Sequence, residues 1–319
     1  MQFLNFQDSL VVIVGPTAVG KTDLSIRLAE VLGAEIVSAD SRLLYRGMNI
    51  GTAKPSPADQ TRVPHHLIDV ATPDNPWSLA LFQKEAAAAI KAIHQRGRLP
   101  ILVGGTGQYT RAVIQGWDIP AQAPDFKIRS ALEIWAAEIG ASALHERLSV
   151  IDPDAASIID PRNVRRTIRA LEVIFCTGIK FSSQRKQTGS PYSLMVIGLK
   201  RPRPQLYARI DQRIDQMLAE GLVHEVRILL DCGYSPELGT MSAIGYREMA
   251  AVIHEKMTLE EAVDQMKRIT RRFVRRQSNW FNEKDESIHW FDMDENVLPE
   301  ILKCINASEN WTFSESNNS

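Results

Sequence analysis

The sequence predicts an α/β protein: a parallel sheet flanked by helices and interrupted by an all-helical insertion. Three observations carry that reading. Short apolar runs rich in β-branched residues alternate with stretches of helical periodicity. The runs are apolar throughout, as strands covered on both faces must be. Between residues 120 and 191 the alternation gives way to helical patterns alone.

The first run, Ser9–Val14 (SLVVIV), leads into Gly15-Pro16 and an amphipathic stretch from Lys21 to Leu32, the order strand, turn, helix. Residues 34–39, 99–103 and 193–199 are the other strand candidates; the first two end at Asp40 and at Gly104-Gly105. Ligands of such sheets lie beyond the carboxyl ends of the strands, which places the expected site on the loops 15–22, 40–47 and 104–109. Residues 125–139, 143–148 and 163–176 are read as helices of the insertion, and 205–220, 222–231, 243–254 and 259–281 as helices following the fourth strand. The organisation is a discontinuous core, 1–119 and 192–284, around a helical domain at 120–191. A tail at 285–319 carries eight acids against the single Lys303, and its last dozen residues are expected to be disordered.

Composition sets the outer limits. With 319 residues, 44% hydrophobic and 24% charged, the chain can bury a large core without metal or disulfide help. Lys and Arg total 37 against 38 Asp and Glu, a net charge of −1, so bulk charge identifies no partner. Cys176, Cys232 and Cys304 are far apart with no CxxC pair, which suits a reducing compartment. No apolar run reaches the length of a membrane span and no basic leader opens the chain. The expectation is a cytoplasmic, enzyme-sized protein.

Gly15-Pro16-Thr17-Ala18-Val19-Gly20-Lys21-Thr22 fits G-x-x-x-x-G-K-T in its required setting between strand and helix, which makes the fold P-loop NTPase-like. Backbone N–H groups and the helix N-terminus suit a phosphate, Lys21 neutralises charge, and Thr22 can ligate Mg²⁺. A nucleotide-hydrolysing P-loop also needs an Asp after a second apolar strand. Here residues 99–103 end in Gly-Gly-Thr instead. Asp40 follows a strand candidate and could stand behind a metal, act as a base facing the phosphate, or simply cap a turn. Arg42, Arg46 and Lys54 after it suggest a mobile basic loop. Thr106 in Gly104-Gly105-Thr106-Gly107 offers a hydroxyl to an anion, or marks a tight turn only. The pair His65-His66 is read as hydrogen-bonding rather than metal-binding, because chain neighbours point apart.

Two basic faces stand out. Arg162, Arg165, Arg166 and Arg169 share one helical face, and residues 155–190 hold seven Lys/Arg against two acids, an excess of +5. Lys267, Arg271, Arg275 and Arg268, Arg272, Arg276 form two adjacent rows, followed by Gln277, Trp280 and Phe281. Such rows with nearby aromatics suit a phosphate backbone and unstacked bases, or else are solvated faces paired with acids elsewhere. Arg209 and Arg213 either return toward the phosphate site or form surface pairs.

Taken together, GPTAVGKT at 15–22, SADSRLLYRGMNIGTAKP at 38–55, HHLID at 65–69, VGGTGQY at 103–109, RALEVIFCTG at 169–178, SAIGYRE at 242–248 and TRRFVRRQSNW at 270–280 closely resemble the tRNA dimethylallyltransferase family. The resemblance implies transfer of a dimethylallyl group from dimethylallyl diphosphate to N6 of adenosine 37, beside the anticodon of tRNAs reading codons that begin with U. It implies the loop Gly15 to Thr22 as the diphosphate site, with Mg²⁺ on Thr22, and Asp40, Thr106, Arg213 and Lys21 as catalytic groups, Asp40 being the base. It implies tRNA contacts at Asp40, Ser41, Arg42, Leu43, Thr106, Arg129, Arg165, Arg166, Thr167, Ile168, Arg169, Ser242, Ala243, Ile244, Gly245, Tyr246, Arg247, Arg275, Arg276 and Gln277. The partner is the anticodon stem-loop, and the enzyme is expected to be a monomer. Gln108 and Thr110 depart from the family's apolar and aromatic residues in the acceptor channel, and Arg162-Asn163 from its usual Asn-Asp turn. A C-terminal zinc finger of the eukaryotic members has no counterpart, since Cys304 stands alone, which suggests the bacterial type. Competing readings are a dimethylallyltransferase acting on AMP or ATP in cytokinin synthesis, a P-loop kinase, and an RNA-binding protein with a relic P-loop.

Overall fold

A computed structural model describes residues 8–119, 125–184, 189–294 and 297–307. In chain order the elements are β1 (Ser9–Val14), α1 (Lys21–Leu32), β2 (Glu35–Ser38), α2 (Pro57–Arg62), β3 (His65–His66), α3 (Leu79–Gln95), β4 (Pro100–Val103) and α4 (Gly107–Ile114). Four helices follow: α5 (Phe126–Ile139), α6 (Ala141–Ile151), α7 (Pro153–Ile158) and α8 (Val164–Thr177). The chain then continues through β5 (Ser193–Lys200), α9 (Arg203–Ala219), α10 (Leu222–Asp231), α11 (Tyr246–Ile253), α12 (Leu259–Gln277), β6 (Ile288–Asp292) and α13 (Val297–Asn306).

The chain divides into two compact units. One comprises residues 1–77, 81–114 and 190–319; the other comprises Ser78–Ala80 and Gln115–Gly189. The first holds a six-stranded parallel sheet in the order β3-β2-β4-β1-β5-β6. Its central strand β1 is buried at every residue, and Val12 pairs with Leu102 of β4 on one side and Val196 of β5 on the other. A strand enclosed on both faces has no reason to alternate, so SLVVIV reads as a continuous apolar run.

Two strands are not evident from the sequence. β3 is two residues long: His66 Nε2 lies 2.6 Å from the buried carboxylate of Glu35, and His65 Nδ1 lies 2.7 Å from the Val63 carbonyl. The paired histidines are therefore hydrogen-bonding residues. β6 and α13 lie in the stretch read as an acidic tail, and this corrects that reading. Ile288–Asp292 pairs with β5 along its whole length, and Val297, Ile301 and Ile305 of α13 are buried. An edge strand only five residues long, IHWFD, is easily hidden among acids. Residues 308–319, which contain the last dozen, lie outside the described residues.

The second unit packs α5 to α8 around Leu132, Leu144, Leu148, Ile168, Leu171 and Ile174. Helix α8 starts at Val164 because Asn163 caps it, its side chain accepting from the Arg166 N–H at 3.2 Å. The Arg162-Asn163 departure thus leaves the cap intact, but it places Arg162 before the helix and off its face. In the first unit, α12 opens on a capping box of Thr258 and Glu261 and closes on Arg275 and Arg276, each end complementing the helix dipole. It ends at Gln277, four residues short of the expected 281, and this turns Gln277 to Phe281 toward the strand ends.

Candidate active site

The loop between β1 and α1 is shaped as its motif requires. Ala18 adopts the left-handed region at φ 63°, a conformation costing about 1 kcal/mol for a residue with a Cβ. The Nε of Arg209 donates to the Ala18 carbonyl at 2.8 Å and holds that turn, which settles one of the two arginines left open by the sequence. Lys21 donates from Nζ to the carbonyls of Gly15 (3.0 Å) and Pro16 (2.8 Å). Withdrawal of this ammonium from water lowers its pKa to about 8; Asp40 acts against that shift and Arg213 reinforces it. Both partners therefore lie within electrostatic reach of Lys21. The N–H groups of Lys21 and Thr22 open α1 and have no acceptor within the helix. Two other N–H groups of the loop are engaged inside the protein: Thr17 donates to Gln277 Oε1 at 2.7 Å and Val19 to the Pro16 carbonyl at 3.4 Å.

Asp40 ends the stretch after β2 in an Asx turn, its Oδ1 accepting from the Arg42 N–H at 2.9 Å. The hydroxyl of Thr106 accepts from the Ser41 N–H (3.2 Å) and lies 3.4 Å from the Ser41 hydroxyl, so it fixes the Asp40 loop to the Gly-Gly-Thr loop. The loop is pinned rather than the mobile basic segment expected. Arg42 donates to the carbonyls of Gly239 and Thr240, Arg46 to that of Asp69, and Lys54 to Tyr45, Asn49 and Asp69. Further along, the carboxylate of Glu225 accepts from the N–H groups of Asn49, Ile50 and Gly51 and from the Tyr246 hydroxyl at 2.6 Å. Burial, together with that carboxylate, pushes the Tyr246 phenol far above its usual range.

These loops enclose a cleft of about 680 Å³. Thr17 and Ala18, Asp40 to Arg42, Gly105 to Gln108, Arg213 of α9, Ser242 to Ile244, Arg247, and Arg272, Phe273, Arg276 and Gln277 of α12 all line it. Ile210, Ile214, Met217, Met266 and Ile269 give it an apolar wall. Arg213 is half-buried there, and desolvation lowers its pKa while Asp40 raises it. A cleft with cations at the phosphate loop, one carboxylate and an apolar wall can bind a diphosphate carrying a hydrocarbon, neutralise a departing anion and accept a proton.

The expected residues divide. Asp40, Ser41, Arg42, Thr106, Arg213, Ser242, Ala243, Ile244, Arg247, Arg276 and Gln277 meet at the cleft. Tyr246 does not present itself to a ligand: it is fully buried, holding the 49–51 turn through Glu225, so its expected contact is corrected to a supporting one. Thr167 and Ile168 are likewise buried in the core of the helical unit. The helical face of α8 points Arg165 outward while its other side packs, and a stretch read as one contact segment is half core. In that unit Arg129 and Arg169 both bind the buried carboxylate of Glu172, at 2.7 and 3.1 Å. Of the departures from the family pattern, Gln108 is exposed on the cleft, whereas Thr110 is buried and its hydroxyl lies 3.4 Å from the Thr106 carbonyl. Sequence reasoning named no role for Phe273 at the cleft wall, and helical spacing from Ile269 was the signal available for it.

Among the described residues no group of three or more His, Cys, Asp or Glu is placed to hold a metal. Mg²⁺ needs no such cage: it keeps its waters and binds through one or two protein oxygens plus substrate phosphates. The exposed Thr22 at the start of α1, next to Lys21, on which Asp40 acts electrostatically, offers a hydroxyl for a donor set of that kind.

The family model described as IPP transferase matches residues 43–284, and that described as isopentenyl transferase matches residues 8–69. The tRNA dimethylallyltransferase of Roseiflexus castenholzii is 56% identical over 307 residues, covering 96% of this chain and 99% of its own. That of Herpetosiphon aurantiacus is 47% identical over 303 residues, covering 95% and 96%. Among solved structures, the full-length tRNA isopentenylpyrophosphate transferase of Bacillus halodurans is similar with TM-score 0.69 at 46% identity, over 94% of this chain and 96% of that one. A eukaryotic dimethylallyltransferase captured acting on tRNA is similar with TM-score 0.80 at 26% identity, over 97% and 82%.

Proposed function

The chain belongs to the IPP transferase family, and from that premise we propose how its cleft works and on which nucleoside. It is a prenyl-transferring enzyme that modifies tRNA. We assign the acceptor as N6 of adenosine 37 in tRNAs that read codons beginning with U, and the donor as dimethylallyl diphosphate. The observation that carries this reading is the single cleft in which the phosphate loop, Asp40 and the arginines of α12 converge on an apolar wall.

In the reaction the C1–O bond of the donor breaks and its electron pair leaves with pyrophosphate, while a bond forms between C1 and N6. The adenine amine is a weak nucleophile because its lone pair is delocalised into the ring, so its proton goes to the Asp40 carboxylate as the bond forms. That carboxylate uses Oδ1 on the Arg42 N–H, a bond that fixes its orientation. Lys21 and Arg213, both partly withdrawn from water, face the growing charge of the leaving group, where removal from water strengthens their pull. Thr22 would hold Mg²⁺ with the diphosphate, and the ion would supply further neutralisation of the leaving group. To reach Asp40 the adenine must leave its stack. Arg272 and Arg276, which line the cleft, would bind the flanking phosphates, and Phe273 beside them would stack on a base. The three cysteines are free and no helix among the described residues is long and apolar enough to cross a membrane.

The test offers radiolabelled dimethylallyl diphosphate and Mg²⁺ with unmodified tRNA bearing A36-A37-A38, or with AMP or ATP. Label in tRNA alone is expected; label in AMP or ATP alone would overturn the acceptor assignment. Asp40→Ala is expected to lower transfer by about 10²- to 10⁴-fold, the usual share of a general base, with tRNA affinity unchanged. Equal losses in rate and affinity would remove Asp40 from the chemistry.

A further inference from the structure

Gln277 stands at the end of the arginine-rich face of α12, where a contact to RNA would be expected of it, yet both ends of its amide are used inside the protein. Its Oε1 accepts from the Thr17 N–H of the phosphate loop at 2.7 Å, and its Nε2 donates to the Gly105 carbonyl at 2.8 Å. The side chain is buried, 7% exposed. The two loops it joins, at Thr17 and Gly105, are remote in sequence and rise from the neighbouring strands β1 and β4.

The neighbouring glycines show how closely this end of α12 is seated. A Cβ on Gly105 would lie 2.7 Å from Gln277 Nε2, and one on Gly107 would lie 2.2 Å from the Trp280 ring. The guanidinium of Arg111 donates to the Trp280 carbonyl and lies over the Phe281 ring at 5.6 Å. The Gly-Gly-Thr-Gly sequence is therefore glycine-rich in part to receive Gln277 and Trp280, independently of any anion.

We infer that Gln277 is a positioning residue: it sets the spacing of the phosphate loop and the Gly-Gly-Thr loop, and so places the diphosphate, without touching tRNA. The inference rests on the donor assignment above. Its chemistry is that of a two-ended clamp. Thr17 N–H is withdrawn from the set available to phosphate and becomes an anchor, which leaves the helix-opening N–H groups of Lys21 and Thr22 to face the ligand. Because Arg272 and Arg276 lie on the same rigid helix within two turns, the face that meets RNA and the loop that meets diphosphate are joined through one side chain.

The experiment first labels tRNA with the parent enzyme; failure at that step overturns the functional reading itself. Gln277→Met keeps the volume and removes both hydrogen bonds. It is expected to lower kcat/KM for dimethylallyl diphosphate by about tenfold or more, the scale of two ordinary hydrogen bonds, while tRNA affinity and its salt slope stay as in the parent. Gly105→Ala, which crowds the same amide nitrogen from the other side, should give the same signature. In a Gln277→Ala background the atom that its Cβ meets is gone, so Gly105→Ala should then add little. A loss of tRNA affinity with a shallower salt slope in Gln277→Met would make the residue an RNA contact. Independent, multiplicative effects of the two substitutions would show that no clamp exists. Thermal unfolding of each variant identifies any that fail to fold, and the glycine variant then carries the test.

Discussion

In α8, Arg169 is held with Arg129 by the buried carboxylate of Glu172; in α12, Arg272 and Arg276 have no ion-pair partner among the described residues and line the cleft. Within α12 itself the adjacent row behaves like α8, since Lys267 pairs with Asp215 and Arg271 with Asp211, both on α9. Arg271 also lies over the Tyr207 ring at 5.5 Å. A row of cations at helical spacing is thus several things at once. Whichever side meets a neighbouring helix with acids in reach becomes packing, and the side one position around the helix is left to bind. Arg162 leaves both groups, because it precedes its helix and pairs with Asp160 at 2.8 Å.

That contrast can be broken at its strongest point first. Glu172→Ala removes a fully buried carboxylate and takes from Arg129 and Arg169 the ion pair each makes with it. The expected cost is about 3 kcal/mol of stability, the lower end for a broken buried pair, because both cations retain about a third of their surface in water (32% and 29%). Denaturant midpoints of the full chain would show it. The sign of its pH dependence follows from its pKa: burial raises it, but the hydrogen bonds from Arg129 and Arg169 outweigh that and hold it below the ordinary 4.5. The stabilisation is therefore present at neutral pH and disappears as pH falls through the lowered value. A variant as stable as the parent would make α8 an exposed binding face after all.

Replacing Arg272 and Arg276 by Ala should leave stability nearly unchanged and weaken tRNA binding, the salt slope falling by about 1 for each phosphate that is no longer neutralised. Lys267→Ala with Arg271→Ala should do the reverse: tRNA affinity and slope stay put, and stability falls by about 0–1 kcal/mol per partly exposed pair. If the two double variants gave equal slopes, the division of α12 into a packing row and a binding row would fail. A finer effect sharpens the contrast from the side of the phosphate loop. Lys21 loses its proton as pH rises through about 8, since removal from water disfavours the charged form. The kcat/KM for the diphosphate should therefore decline above that pH, and Lys21→Arg, if it retains activity, should flatten the decline.

Much of the site is legible in the sequence. The phosphate loop is local: strand, glycines, lysine and helix follow one another within fourteen residues, Ser9 to Thr22, and each constrains the next. Asp40 could be found because it ends an apolar run, and Arg213 could only be left open, because a helix pattern gives spacing but not which neighbour the helix meets. β6 was not legible, as a short edge strand in acidic sequence has neither length nor alternation. The burial of Tyr246 was not legible either, since a tyrosine between an apolar Ala-Ile-Gly and a charged Arg-Glu is ambiguous until a carboxylate 21 positions away, Glu225, is brought to its hydroxyl.

The sequence alone determined the parallel sheet, the helical insertion, the phosphate loop and the family, because these rest on local periodicity and on runs of residues in fixed order. The tertiary structure decided which arginines pair and which face the cleft, that Glu225 and Tyr246 hold the 49–51 turn, and that Gln277 joins two loops and is buried between them. Apart from the local pairs Arg169–Glu172 and Arg162–Asp160, each of those depends on a distance between residues remote in sequence. Electrostatics and close contact act through space, so the same side chain is a ligand, a strut or a surface charge according to what the fold sets beside it.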